Sequence, residues 1–122
     1  MYTYSQSTGQ LTDAGGVLIG TGFSGHDVGM NNPQMQNVKG VGPLPQGRYT
    51  IGAPRDYPGT LGPLVMALLP DPANEMFDRS GFYFHGASAV HYSESSDGCI
   101  VLPLLVRLEI SQSGDKALQV TA

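Results

Sequence analysis

Gly42-Pro43-Leu44-Pro45-Gln46-Gly47-Arg48-Tyr49-Thr50-Ile51-Gly52 decides how this chain is read. Two prolines and two flanking glycines make a rigid turn, because proline fixes φ and glycine admits backbone that other residues avoid. The turn runs into Arg48-Tyr49-Thr50-Ile51-Gly52, whose aromatic and β-branched residues suit a pleated, half-buried strand. The same punctuation recurs along the chain. Upstream, Tyr2 to Thr12 reads as a hairpin turning at Ser7-Thr8-Gly9, and Asp13 to Gly16 as a second turn. Val17 to Phe23 is a third strand, and its glycines mark a bulge or a close backbone approach. Residues 24–41 are polar and glycine-rich without periodicity, which predicts a functional loop or an element that leaves no pattern.

Downstream, Arg55 to Gly62 reads as loop, and Leu64 to Leu69 as a short buried strand stopped by Pro70-Asp71-Pro72. Phe82-Tyr83-Phe84-His85 is a further strand, Gly86 to Gly98 a polar loop, and Cys99 to Leu102 an apolar segment. Pro103 suits a helix start, Leu104, Leu105 and Leu108 follow helical spacing, and Gly114 fits the C-cap. Ala117 to Val120 is the last strand. Seventeen glycines and nine prolines, about a fifth of the 122 residues against ~12% on average, are interleaved with apolar segments. They punctuate a fold. The expectation is a mostly β, single domain over residues 1–122, with one short helix near the C-terminus.

Composition excludes several classes of function. Charged residues are 13% of the chain, net charge is −4, and the six basic residues are scattered, so the basic stripe of a nucleic-acid binder is missing. No apolar run approaches the ~20 residues of a membrane span. Met1-Tyr2-Thr3-Tyr4-Ser5 has neither the basic nor the apolar region of a signal peptide. With one cysteine, no intrachain disulfide forms, and 40% hydrophobic residues supply a core without one.

The chemistry gathers in Phe82-Tyr83-Phe84-His85-Gly86 and Asp97-Gly98-Cys99-Ile100-Val101. A histidine closes one strand, a cysteine opens the next apolar segment, and the intervening loop is long enough to fold back and bring them together. A free thiol at pKa ≈ 8.5 is only a few per cent thiolate at neutral pH, so a cysteine nucleophile wants a base beside it. An imidazole takes the proton and later returns it to the leaving amine. Gly98 lets a carbonyl approach, and the backbone N–H groups of Gly98 and Cys99 suit an oxyanion hole, an arrangement worth roughly 3–4 kcal/mol in other enzymes. Taken singly, each residue also has a plainer reading: a lone cysteine is more often a buried small hydrophobe, and a strand-end histidine is usually structural. His26 and His91 read as loop residues. Cys99, His85, His91 and Asp97 match no paired metal-ligand spacing, so no metal or cofactor is expected.

Together these segments resemble the L,D-transpeptidase (YkuD-type) signature of a histidine, a variable spacer, then Ser/Thr-His-Gly-Cys. They resemble more fully its compact relatives, the L,D-transpeptidase effectors of type VI secretion systems. The landmarks are Gly42 to Ile51, Gly81 to Gly86 and Ser96-Asp97-Gly98-Cys99-Ile100-Val101, within a likeness running from about Phe23 to Val120. The resemblance implies a β-sandwich of two packed sheets and a cysteine-dependent carboxypeptidase or transpeptidase on peptidoglycan tetrapeptide stems. Cys99 would be the nucleophile, His85 the base and Gly86 the carbonyl that orients it; Ser96, Asp97 and Gly98 would form the site loop. Arg79, Arg48 and Tyr83 are candidates for binding the stem. An injected toxin acting in a rival's periplasm, with a cognate immunity protein in the producer, is the biological expectation. Asp97 stands where the wider family has histidine, which leaves His85 as the sole base. Two other functions are carried beside this one: a non-catalytic wall-binding module, and a cysteine peptidase cutting a different stem bond.

Overall fold

The computed structural model describes residues 1–57, 61–87 and 97–122. They form strands β1 (Tyr2–Ser5), β2 (Gln10–Thr12), β3 (Leu18–Thr21), β4 (Phe23–Ser24), β5 (Gly47–Ile51), β6 (Arg55–Tyr57), β7 (Gly62–Pro70), β8 (Phe82–His85), β9 (Ile100–Val101) and β10 (Ala117–Thr121), with helix α1 (Leu104–Ser113) between the last two. The fold is mostly β with a helix near the C-terminus, as the sequence implies. Both layers of the expected sandwich belong to one hydrogen-bonded path, β3-β2-β1-β10-β5-β7-β8-β9-β4, with β6 paired to β7. The ends of that path, β3 and β4, are consecutive in the chain, so the sheet comes back almost onto itself at Gly22. A Cβ at Gly22 would overlap the Val101 carbonyl, and its N–H donates to Gly9 across 2.8 Å.

The path curls around a single core. Alternation supplies it: Tyr2 and Tyr4 of β1, Tyr49 and Ile51 of β5, Phe82 and Phe84 of β8, and Leu118 and Val120 of β10 are all buried, each side chain worth about 1.5–3 kcal/mol of burial. Two pairings are parallel, β1 with β10 and β8 with β9. β6 falls where loop was expected: its residues are exposed or half-buried and make a main-chain pairing with β7, so no apolar alternation announces it.

Residues 24–41 contain two short 3₁₀ turns, Asp27–Gly29 and Pro33–Met35. Asn31 Oδ1 accepts from the Ser24 N–H at 3.1 Å, and Asn32 caps the second turn through the Gln34 N–H at 3.2 Å. Helix α1 follows Pro103 and ends at Gly114, whose φ of 76° fits the left-handed C-cap. It turns the opposite face inward from the one its leucines suggest. Arg107 and Ile110 are buried while Leu104, Leu105 and Leu108 are exposed. Arg107 explains this, since its guanidinium satisfies main-chain carbonyls inside the fold.

Candidate active site

Parallel pairing of β8 with β9 builds the site. Phe84 stands opposite Ile100 and His85 opposite Val101, so one step back Cys99 lies level with Tyr83. Paired residues point to the same face and alternate residues to opposite faces. Phe82, Phe84 and Ile100 therefore enter the core, and Cys99, Tyr83 and His85 share the other face. Cys99, the residue just before β9, is thereby set diagonally across from His85 of β8.

His85 is only 3% exposed. Its Nδ1 lies 2.7 Å from the Gly86 carbonyl. A carbonyl only accepts, so Nδ1 carries the hydrogen and donates it, leaving Nε2 as the lone-pair nitrogen of a neutral ring. Burial lowers the His85 pKa below its ordinary value, the bond to Gly86 opposes that, and the Arg107 charge adds to the lowering. Cys99 Sγ is 3.9 Å from the Gly81 carbonyl. Burial pushes its thiol up to about 11, a main-chain hydrogen bond from Tyr83 pulls it down, the Asp97 charge raises it and the Arg79 charge lowers it. The resting pair is thus a protonated thiol and a neutral imidazole. Such a pair can transfer a proton as the sulfur attacks, without holding a standing thiolate.

The turn into Cys99 is held from three sides. Gly98 has φ +124°, and a Cβ there would overlap the Arg79 guanidinium and the Phe82 ring. Ser24, fully buried, donates from Oγ to the Gly98 carbonyl at 2.9 Å and accepts from the Leu44 N–H at 2.8 Å. Arg79 Nη2 donates to the Gly42 and Asp97 carbonyls at 2.9 and 3.2 Å, and Nη1 to those of Pro43 and Gln36. Its carbon stands 5.3 Å from the centroid of the Phe82 ring. The proline-rich turn that opens the sequence reading is thereby tied to the turn into Cys99.

Of the residues expected to bind substrate, Tyr83 lies on the Cys99 face, its ring 5.8 Å edge-on to Tyr57. Arg79 does not present a free fork to a carboxylate: it is 4% exposed and both terminal nitrogens are committed to main-chain oxygens. Arg48 is elsewhere. It sits on β5, three strands from Cys99 in the sheet, and its Nε donates to Gln119 at 3.3 Å. At ~4.8 Å per strand and ~3.3 Å per residue, that register separates them by roughly 20 Å measured along the sheet. Asp97 points outward, its Oδ1 3.4 Å from His26 Nδ1. Ser96 and His91 lie outside the described residues.

Sequence reasoning passed over three residues. Arg107 is 5% exposed; its Nε donates to Leu102 at 3.0 Å and Nη1 to Pro63 and Leu64 at 2.7 and 3.1 Å. Its guanidinium occupies the space a Cβ on Gly86 would need. The signal was an arginine within the buried stripe of α1, three residues before Ile110. Nothing local marks Ser24 as a linker, nor His26 as the neighbour of Asp97. Among the described residues, no three His, Cys, Asp or Glu side chains converge as a metal site.

A family model described as the Tlde1 domain matches residues 19–113. No curated protein and no solved structure matches the chain.

Proposed function

This chain belongs to the Tlde1 domain family of type VI secretion effectors with L,D-transpeptidase-type activity, and from that premise we propose that it is a cysteine-dependent L,D-carboxypeptidase and L,D-transpeptidase of peptidoglycan tetrapeptide stems. One observation supports the chemistry: the parallel pairing of β8 with β9 sets Cys99, just before β9, diagonally across from His85, whose Nδ1 lies 2.7 Å from the Gly86 carbonyl. Cys99 Sγ attacks the carbonyl carbon of the third stem residue while its proton passes to His85 Nε2. The tetrahedral intermediate collapses as Nε2 gives that proton to the nitrogen of the leaving D-residue, and a thioester remains. Water or the amine of an incoming D-amino acid then attacks the thioester. His85 takes the attacker's proton and returns it to the departing sulfur. Residues 1–122 act as one catalytic unit, working in the periplasm of an injected cell, with an immunity protein as partner. Among the described residues no helix is long and apolar enough to cross a membrane.

The test is mass spectrometry of tetrapeptide muropeptides incubated with the protein, with and without an added D-amino acid, beside Cys99→Ala. Loss or exchange of the terminal D-residue only where Cys99 is present supports the proposal. Cleavage at another stem bond replaces it with the different cysteine peptidase. The raised pKa of the Cys99 thiol favours a second reading, a wall-binding module without turnover. That reading requires peptide binding with no cleavage by either protein.

A further inference from the structure

A second imidazole stands against the turn into Cys99. β4 and β9 pair antiparallel, with Ser24 opposite Ile100. Past that pair the two segments stay side by side: Ser24 Oγ donates to the Gly98 carbonyl at 2.9 Å, and His26 Nδ1 lies 3.4 Å from Asp97 Oδ1. The His26 backbone is pinned at both polar groups. Its N–H donates to the Val41 carbonyl at 3.0 Å, and its carbonyl accepts from the Gly29 N–H at 2.9 Å. Asp27 follows at φ 50°, in the left-handed region that a residue with a Cβ seldom takes. Its Oδ2 lies 3.9 Å from His26 Nε2, so the ring stands between two carboxylates.

The two sides of the His26–Asp97 contact differ in freedom. The His26 side chain is 21% exposed and that of Asp97 81%, so the ring is the fixed member and the carboxylate the one that needs holding. Burial is the main reason the Cys99 thiol pKa is raised, and the Asp97 charge adds to it. A carboxylate loose beside the sulfur opposes the negative charge that sulfur gains as it attacks. An imidazolium on the outer side of the turn cancels that carboxylate without touching the sulfur. The other cations near Asp97 are differently engaged. Arg79 donates to the Asp97 main-chain carbonyl and to three further carbonyls. Lys39 lines the recess beside Asp97, but it is exposed on a flexible stem.

Resting on the enzyme reading above, we propose that His26 is a positioning residue for Cys99: as imidazolium it neutralises the Asp97 carboxylate and holds it on the outer side of the turn, so that the sulfur gains charge without a bare carboxylate beside it. His26 acts through Asp97 and touches neither the thiol nor the substrate. One partly solvated unit charge at this remove corresponds to a change of about threefold in the reactivity of the sulfur.

The experiment measures the rate at which Cys99 exchanges with a dipyridyl disulfide, read from the absorbance of the released thiopyridone. Four proteins are compared: unaltered, His26→Ala, Asp97→Asn and the double variant, each on the acid side of histidine titration and again well above it. If His26→Ala lacks the thermal transition of the unaltered protein, His26→Gln takes its place. On the acid side, His26→Ala should react about threefold more slowly than the unaltered protein. That gap should close at the higher pH, where the unaltered protein has lost the imidazolium as well. It should also narrow in the Asp97→Asn background, because there is no longer a carboxylate to neutralise. No gap, a gap of equal size at both pH values, or an equal gap in both backgrounds overturns the proposal, since a ring that only fills space gives the last two. Cleavage of tetrapeptide stems at neutral pH should lose kcat in His26→Ala with KM unchanged; a loss confined to KM also overturns it. If none of the four proteins cleaves, the enzyme reading fails, and the exchange rates still decide whether His26 governs the thiol through Asp97.

Discussion

Cys99 and His85 rest as a neutral pair because burial opposes charge on both. It raises the thiol pKa to about 11 and lowers the imidazole pKa. Thiolate is therefore scarce until strongly alkaline pH. Alkylation by iodoacetamide, followed by mass spectrometry, should accelerate about tenfold per pH unit from pH 7 to 10 without levelling; a plateau near neutrality would mean a stabilised thiolate and a different site. With His85 as the proposed base, cleavage requires it unprotonated, so it should persist at neutral pH and fall as acid passes below the ordinary histidine value. The residue types of the pair were legible in the sequence from their order and spacing. Arg79 shows the limit of such reading. An arginine near a proposed carboxylate site suggested ligand binding, whereas its partners are carbonyls contributed by segments remote in sequence, which spacing cannot reveal. Arg79→Met should accordingly cost about 2–4 kcal/mol of stability by stranding buried carbonyls, seen as a lowered denaturation midpoint. A raised KM with unchanged stability would restore the carboxylate role.

Helix α1 is where element-level patterning points the wrong way. Leu104, Leu105 and Leu108 look like the buried stripe, yet they are exposed, at 52%, 77% and 38%. The helix is oriented instead by Arg107, which reaches back to the Leu102 carbonyl and across to the start of β7. Hydrophobic spacing ranks side chains by burial of apolar area; it has no means of scoring a buried cation with three carbonyl partners. Strand existence was easier, since β5, β8 and β10 each alternate cleanly. Pairing was harder: β6 has no apolar face to read, and the second 3₁₀ turn of residues 24–41 is capped by the Asn32 side chain. Arg107 also lowers the His85 pKa and fills the space beside Gly86. Arg107→Met should cost about 2–4 kcal/mol and move the acid limb of cleavage to higher pH, because a charge that disfavours protonated His85 is gone. Arg107→Lys should keep that limb near its original place. An acid limb identical in all three proteins would remove Arg107 from the electrostatics of the site and leave it only a packing role.

At the scale of the whole molecule, the parallel pairing of β1 with β10 matters most. Tyr2 stands opposite Leu118 and Tyr4 opposite Val120, and Tyr2 Oη donates to Ser113 Oγ at 2.7 Å. Alternation announces each strand, but nothing local says that the two ends of the chain are neighbours. The family match spans 19–113 and leaves out β1, β2 and β10. In the sheet those three strands stand side by side between β3 and β5. Cutting the chain to the matched span would remove three adjacent strands from the path, and with them the buried side chains of Tyr2, Tyr4, Leu11, Leu118 and Val120. Their burial is worth on the order of 10 kcal/mol, comparable to the entire stability of a domain this size. β3 would lose its pairing partner and β5 one of its two, although every residue singled out for chemistry lies within the fragment. Residues 19–113 expressed alone should therefore show no cooperative thermal transition by circular dichroism, and no cleavage of tetrapeptide stems. A fragment that melts cooperatively and cleaves would mean that the strip from β5 to β4 with α1 holds the turn into Cys99 unaided, and that the terminal strands serve some purpose other than completing the fold.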